Sequence, residues 1–259
     1  MTDTIKGMAA TRATMESLGL KNAATQVSKI IMDAEKDKLA YRELLDRVMD
    51  AELAARNDKH RRRNLVGAHF PPNAKRLDEF DTAELDDGLS CLQLAQLKDL
   101  VWLDAHANII FLGPPGLGKT MLAVGLGLEA IDRGYLVCFE KMVSLVRILD
   151  DERVDRNAAF RLKRIRKCDL LIIDEVGYLS ISRDQANRFF SLVSDVNERA
   201  SVIVTTNKEV GQWAEVLQDP VLTSALLDRL LGNARCFSLK GKSYRLKHPV
   251  DPMDNGGSL

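Results

Sequence analysis

The sequence predicts an α/β fold built on a parallel five-stranded sheet and preceded by an all-helical region. From residue 108 onward, five apolar runs of strand length alternate with helical segments, a pattern typical of a parallel sheet covered on both faces. A glycine-rich loop follows the first run. Before residue 75 the chain is glycine-poor and charged, and its apolar residues recur at helical spacing. We therefore expect a helical domain over residues 1–75, a connector over 76–107, an α/β domain over 108–248 and a mobile tail over 249–259.

The composition excludes several classes of protein. Of the 259 residues, 46% are hydrophobic and 29% are charged, which excludes wholesale disorder and fibrous repeats. Because 37 basic residues balance 37 acidic ones, a nucleic-acid partner has to meet a local basic patch. No apolar run approaches the roughly 18 residues of a membrane span, and the first twenty residues hold no apolar signal segment. Four scattered cysteines predict reduced, mostly buried thiols and a cytoplasmic protein; they are Cys91, Cys138, Cys168 and Cys236.

The helical region should contain a long helix that begins near Tyr41 and ends before Pro71. Its apolar residues recur with a period near 3.6 and lie on one face; they are Leu44, Leu45, Val48, Met49 and Leu53. A basic stretch follows, which is either a solubilising helix end or a contact with DNA phosphates. The residues assigned to that contact are Lys59, Arg61, Arg62 and Arg63.

The connector should hold an extended segment over residues 77–81, with Leu77 and Phe80 as apolar anchors, and then a short helix near Leu94. The five strands of the α/β domain follow. They are expected at residues 109–112, 135–139, 170–173, 202–204 and 236–239.

The loop after the first strand fits the phosphate-binding pattern G-x-x-x-x-G-K-[ST]. Its residues are Gly113, Pro114, Pro115, Gly116, Leu117, Gly118, Lys119 and Thr120. A strand precedes this loop and a helix follows it, so its amide groups should turn towards phosphate oxygens at a helix N-terminus. We expect Lys119 to reach the β- and γ-phosphates of a bound nucleotide and Thr120 to ligate Mg²⁺, with Met121 also in the nucleotide-binding segment.

Two carboxylates follow the third apolar strand. We expect Asp174, at the strand end, to hold Mg²⁺ through water, and Glu175 to orient and deprotonate the attacking water. The fourth strand runs into a polar Thr-Thr-Asn group, and there we expect Asn207 to position that water.

Two arginines are candidates for contact with phosphate. Arg229 lies near the end of an apolar helix and is either an arginine finger for a neighbouring subunit or a member of an intrachain ion pair. Arg245 is the second candidate, near the C-terminal edge of the domain.

Together these motifs resemble those of AAA+ ATPases, and more closely those of the IstB-like transposition helpers, relatives of DnaC-type helicase loaders. The resemblance covers nearly the whole chain. The matching stretches are residues 41–45, 51–56, 70–71, 77–81, 113–120, 171–179, 206–207, 213, 228–230 and 243–245. The sequence departs from the family at Met121, Gly232, Asn233 and Lys242, and Lys242 removes the acidic partner expected near Arg245.

The resemblance implies strand order 5-1-4-3-2, little or no C-terminal lid, and binding of ATP. It also implies homo-oligomers that assemble on double-stranded DNA, deform it, and engage the transposase of the same insertion element. A helicase loader acting on single-stranded DNA is the alternative. A nucleotide-dependent adaptor without hydrolysis and a small-molecule kinase are further alternatives, disfavoured by the Asp174–Glu175 pair and by the lack of an acceptor-binding segment respectively.

Overall fold

A computed structural model describes residues 2–178 and 180–244. The chain forms two compact units, Met1–Arg63 and Asn64–Leu259. Their boundary falls within a continuous helix, whereas the sequence places the end of the helical domain near residue 75. The described part of the chain contains no helix that is long and apolar enough to cross a membrane.

The first unit is helical, as the sequence predicts. It contains α1 (Thr2–Ser17), α2 (Lys21–Asp37) and most of α3 (Tyr41–Ala68). Its small core is formed by Met15, Ala23, Ala24, Val27 and Val48. The apolar face predicted for α3 is only partly buried. Leu45, Met49 and Leu53 are all more than half exposed.

A buried carboxylate joins the helices of this unit. Glu52 of α3 accepts hydrogen bonds from the backbone N–H groups of Asn22 and Ala23, at 2.9 and 3.0 Å. These groups lie in the first turn of α2, where an acidic side chain is favoured by the helix dipole. Arg56 donates to the same carboxylate and also to the Gly19 carbonyl. These bonds lower the pKa of Glu52 and fix the α1–α2 turn against α3.

The second unit is the α/β domain. Its helices are α4 (Cys91–Lys98), α5 (Val101–Asp104), α6 (Lys119–Asp132), α7 (Met142–Asp151), α8 (Arg156–Ile165), α9 (Arg183–Asn197), α10 (Trp213–Leu217) and α11 (Pro220–Leu231). Its strands are β1 (Asn108–Leu112), β2 (Val137–Lys141), β3 (Leu170–Val176), β4 (Ser201–Thr206) and β5 (Ala234–Ser238).

The sheet has the order β2-β3-β4-β1-β5, and all four strand pairs are parallel. This is the predicted order read from the other edge, so the fold prediction is confirmed. Hydrophobic clusters cover both faces of the sheet. Along β1, Ile109 and Phe111 enter one cluster with α6, and Ile110 enters the other with α7 and α9. Alternate residues of β1 are therefore buried on opposite faces of the sheet.

The connector differs from its prediction. Residues Leu77–Glu79 form a 3₁₀ turn rather than an extended segment, because Leu77 turns inward to pack on α6. A Cβ added at Gly125 of α6 would lie 2.6 Å from Leu77 Cδ2, and one added at Gly127 would lie 2.8 Å from the Phe70 ring. The two glycines of α6 therefore allow Leu77 of the connector, and Phe70 before it, to pack closely on that helix.

The cysteine prediction holds only in part. Cys138 and Cys168 are buried, whereas Cys91 and Cys236 are exposed. Cys236 lies on β5, an edge strand on which Phe237 is buried and its neighbours are not. An apolar run on an edge strand does not bury every member.

Candidate nucleotide-binding site

The glycine-rich loop joins the end of β1 to the start of α6. Gly113, Gly116 and Gly118 have φ values of 141°, 86° and 80°, a region that favours glycine. A Cβ would lie 2.4 Å from the Leu239 carbonyl oxygen at Gly113, and 2.6 Å from the Phe80 ring at Gly118. The loop therefore needs glycine at these positions for two reasons: the positive φ angles, and the lack of room for a Cβ atom.

Lys119 opens α6 and folds back over this loop. Its Nζ donates to the carbonyl oxygens of Gly113 and Pro114, each at 2.7 Å. Leu117 is buried and anchors the loop to the core. The amine of Lys119 and the first amides of α6 thus lie on one loop, an arrangement suited to phosphate oxygens.

Asp174 and Thr120 connect β3 to the glycine-rich loop. Thr120 Oγ1 donates to Asp174 Oδ1 at 2.8 Å, and Thr205 Oγ1 on β4 donates to the same oxygen at 2.5 Å. Asp174 is almost fully buried. Burial raises the pKa of its carboxyl, and the two hydroxyl donors partly oppose that shift. A carboxylate beside a hydroxyl is a hard-oxygen donor set that fits Mg²⁺.

Glu175 has an unusual backbone. Its φ is 62°, in the left-handed region, which costs a residue with a Cβ about 1–2 kcal/mol. The β3–β4 register passes from Ile173↔Val204 to Val176↔Thr206. Two residues of β3 therefore lie opposite one residue of β4, a β-bulge that redirects side chains.

The bulge turns the Glu175 carboxylate towards the neighbouring strand. Its Oε2 lies 2.9 Å from Nζ of Lys141, the last residue of β2. Both side chains are about half exposed, so water competes with this ion pair.

Asn207 follows β4 directly and is exposed. In the register of the sheet, Thr206 lies opposite Leu112 of β1 and Val176 of β3. The structure therefore brings Asn207, the glycine-rich loop and the Asp174–Glu175 pair to one edge of the sheet. This is the carboxyl edge, where open α/β sheets bind ligands.

The other predicted site residues are Arg229, Met121, Arg245 and the basic residues of α3. The guanidinium of Arg229, on α11, lies 5.4 Å from the centre of the Phe190 ring and 4.0 Å from Glu198 Oε1. Met121 lies half-buried in the first turn of α6. Arg245 and the predicted tail lie outside the described residues. In the first unit, Lys59, Arg61, Arg62 and Arg63 are exposed on α3.

The sequence analysis assigned no site role to three residues at this edge. Thr205 and Lys141 act across neighbouring strands, so only knowledge of the strand order could have singled them out. Tyr244 is the third, because its backbone N–H donates to the Gly116 carbonyl at 2.9 Å.

The fold and this edge of the sheet define a P-loop protein of the AAA+ class. The chain matches the family model described as "IstB-like ATP binding protein" over residues 13–251. It belongs to this family, which confirms the resemblance noted in the sequence.

Two relatives agree with this assignment, and a solved structure agrees with the fold. The chain is similar to the ATP-binding protein of insertion sequence IS21 from Pseudomonas aeruginosa, with 34% identity over 90% of this chain and 87% of the relative. It is 37% identical to the protein of insertion sequence IS5376 from Geobacillus stearothermophilus, over 83% of this chain and 84% of the relative. The crystal structure of the DnaC helicase loader resembles it in fold, with a TM-score of 0.51 and 17% identity over 64% of this chain and 96% of that one.

Proposed function

We propose that this chain is a Mg²⁺-dependent ATPase that assembles with ATP on double-stranded DNA and recruits or regulates the transposase of an insertion element. The observation that carries the proposal is the 2.8 Å hydrogen bond from Thr120 to Asp174. It joins the loop suited to phosphate with the carboxylate suited to a metal, next to Glu175.

In the proposed reaction, Lys119 exchanges its bonds to the loop carbonyls for bonds to the β- and γ-phosphates. Mg²⁺, when bound by Thr120 and by Asp174 through water, would neutralise phosphate charge. Glu175 accepts a proton from the attacking water, which the Asn207 amide orients. Catalysis here depends on positioning and electrostatics.

A neighbouring copy is proposed to complete the site with Arg229. Its side chain is 42% exposed, which leaves it accessible to a second subunit. An isolated monomer should then hydrolyse ATP slowly. An Arg229→Ala protein with wild-type turnover at saturating DNA would contradict this role.

The DNA and transposase partners are supported by two observations. The relatives are named as ATP-binding proteins of insertion sequences, and the second half of α3 exposes a basic cluster. Non-specific binding to the phosphate backbone needs only such a cluster.

The test is ATP turnover with duplex DNA, with single-stranded DNA and without DNA, with light scattering of the same samples. We expect duplex-stimulated turnover, ATP-dependent growth of large assemblies, and a turnover loss of about 10²–10⁴-fold in Glu175→Gln. Glu215→Gln, an exposed carboxylate on α10, is the matched control and should keep wild-type turnover.

The other outcomes point to other functions. Stimulation mainly by single strands, with small assemblies, would indicate a helicase loader. ATP-dependent assembly without turnover, unchanged in Glu175→Gln, would indicate an adaptor. Turnover that needs a small-molecule acceptor, and not DNA, would indicate a kinase.

A further inference from the structure

Thr205 occupies the point where the bulged strand meets β4. The bulge places Asp174 and Glu175 of β3 opposite this single residue. Its side chain is almost completely buried, with 1% exposure of the residue. A hydroxyl buried to this extent is expected to be hydrogen-bonded.

The Thr205 hydroxyl is bonded on both sides. It donates to Asp174 Oδ1 at 2.5 Å, and it accepts from the backbone N–H of Glu175 at 3.0 Å. A bulge leaves its extra residue without a regular ladder partner. The hydroxyl therefore takes the place of the missing carbonyl for Glu175, and at the same time holds the carboxylate next to it.

We propose that Thr205 is a positioning residue that sets the directions of both acidic side chains through this one hydroxyl. On one side it keeps Asp174 turned towards Thr120. On the other it holds Glu175 in its left-handed backbone, from which the carboxylate reaches Lys141 at the end of β2. The inference rests on the proposed ATPase activity for its catalytic consequence, but its geometry can be tested without that activity.

The experiment compares hydroxyl-free and hydroxyl-bearing residues at this position. Thr205→Val keeps the shape and removes the hydroxyl, whereas Thr205→Ser keeps the hydroxyl and removes a methyl group. Thr205→Ala is a second hydroxyl-free variant, for use if the valine protein folds poorly. Thr223→Val on α11 is the matched control, because Thr223 is also buried and its hydroxyl donates to a backbone carbonyl, that of Asp219.

Two readouts are needed. The first is the kcat and KM for ATP, for which we expect Thr205→Val to lower kcat by about 10–100-fold with KM unchanged, while Thr205→Ser and Thr223→Val keep near wild-type values. The second is hydrogen exchange of the Glu175 amide in the nucleotide-free protein. Exchange of this amide should be about tenfold faster in Thr205→Val than in the wild type and in Thr205→Ser.

The outcomes separate the inference from the proposed function. Wild-type protection of the Glu175 amide in both hydroxyl-free variants overturns the inference, whatever the turnover. Equal losses of kcat in Thr205→Ser and Thr205→Val, or in Thr223→Val, would show a packing defect and also overturn it. If the wild type does not hydrolyse ATP but the amide depends on the hydroxyl, the positioning role stands and the proposed ATPase activity fails.

Discussion

The two units each contain an arginine paired with a buried glutamate, yet the two pairs differ in their surroundings. In the first unit, Arg56 is 57% exposed at its side chain while it binds Glu52. In the second unit, Arg161 and Glu140 are both buried, and Arg161 Nε lies 2.5 Å from Glu140 Oε1. Arg161 also donates to the carbonyl oxygens of Gly67, Ala68 and Phe139.

This difference extends to the apolar residues. The second unit buries large clusters on both faces of its sheet, whereas the first leaves Leu45, Met49 and Leu53 of α3 exposed. The second unit is therefore stabilised mainly by its buried apolar clusters. Its buried polar groups, such as Arg161 and Glu140, need one another as hydrogen-bond partners. In the first unit, water can replace more of the interactions that a substitution at an exposed residue removes.

The largest expected effect is on stability. Arg161→Met would leave the Glu140 carboxylate buried without its counter-charge, which costs about 3–5 kcal/mol of unfolding free energy. Urea unfolding followed by tryptophan fluorescence measures it, because both tryptophans, Trp102 and Trp213, lie in the second unit.

Arg56→Met is the control for that comparison. It removes an arginine that is more than half exposed and lies in the other unit, so the tryptophan-reported transition should not move. Equal shifts in the two variants would refute the contrast between the two pairs.

The next largest effect is on DNA binding, and it tests the basic end of α3 in the first unit. Alanine at Arg61, Arg62 and Arg63 should weaken duplex binding and reduce the salt slope of log K by about 0.9 for each DNA phosphate that the variant no longer neutralises. Fluorescence anisotropy of labelled duplex at several salt concentrations measures both quantities. Arg42 and Arg47, exposed near the start of the same helix, form the control pair when changed to alanine. If affinity and slope stay at wild-type values in the triple variant, the basic end of α3 does not bind DNA.

The sequence predicted some features of the second unit but not others. The glycine-rich loop and Asp174 could be predicted because their chemistry demands certain residue types at fixed local spacing. The strand order followed from the family resemblance and is confirmed. The roles of Thr205 and Lys141 could not be predicted, since each depends on a neighbour across the sheet and on a bulge that no local pattern marks.

Local sequence patterns did not predict structure correctly where burial depends on the neighbouring element rather than on the element itself. The apolar period of α3 predicts the helix but not which part of its face is covered. Cys236 lies in an apolar run, but the run became an edge strand. Leu77 was rightly predicted as an anchor, whereas its 3₁₀ turn is set by the space that Gly125 leaves on α6.

The third prediction concerns how much the buried Asp174 carboxylate lowers the stability of the second unit. Burial raises the pKa of Asp174 above its ordinary value of 3.8, so the charged carboxylate destabilises the nucleotide-free protein at neutral pH. Asp174→Asn keeps an oxygen for both hydroxyl donors and removes the charge. It should raise stability by about 0.5–2 kcal/mol, as measured by thermal unfolding without nucleotide or Mg²⁺.

The stability difference between Asp174→Asn and the wild type should depend on pH. As pH falls through the raised pKa, the native carboxyl of the wild type becomes protonated before that of the unfolded chain, and the folded state gains stability. The advantage of Asp174→Asn should therefore shrink towards acid pH. An advantage that grows as pH falls, or a variant less stable than the wild type at pH 7, would contradict the burial argument.

The smallest effect should come from the partly exposed ion pair of the second unit, between Lys141 and Glu175. Lys141 holds the Glu175 carboxylate at 2.9 Å, with both side chains about half exposed. Such a pair is worth about 0.2–1 kcal/mol, and it engages one of the two carboxylate oxygens of Glu175, which leaves fewer positions from which that carboxylate can accept a proton from water. Lys141→Ala should therefore raise DNA-independent ATP turnover by at most about fivefold, measured at saturating ATP.

Lys141→Arg, the control, retains the charge and should stay near the wild-type rate. Added salt, which screens exposed pairs, should narrow the gap between Lys141→Ala and the wild type. A fall in turnover in Lys141→Ala would mean that the lysine assists the reaction, and that the ion pair belongs to the active arrangement of the site.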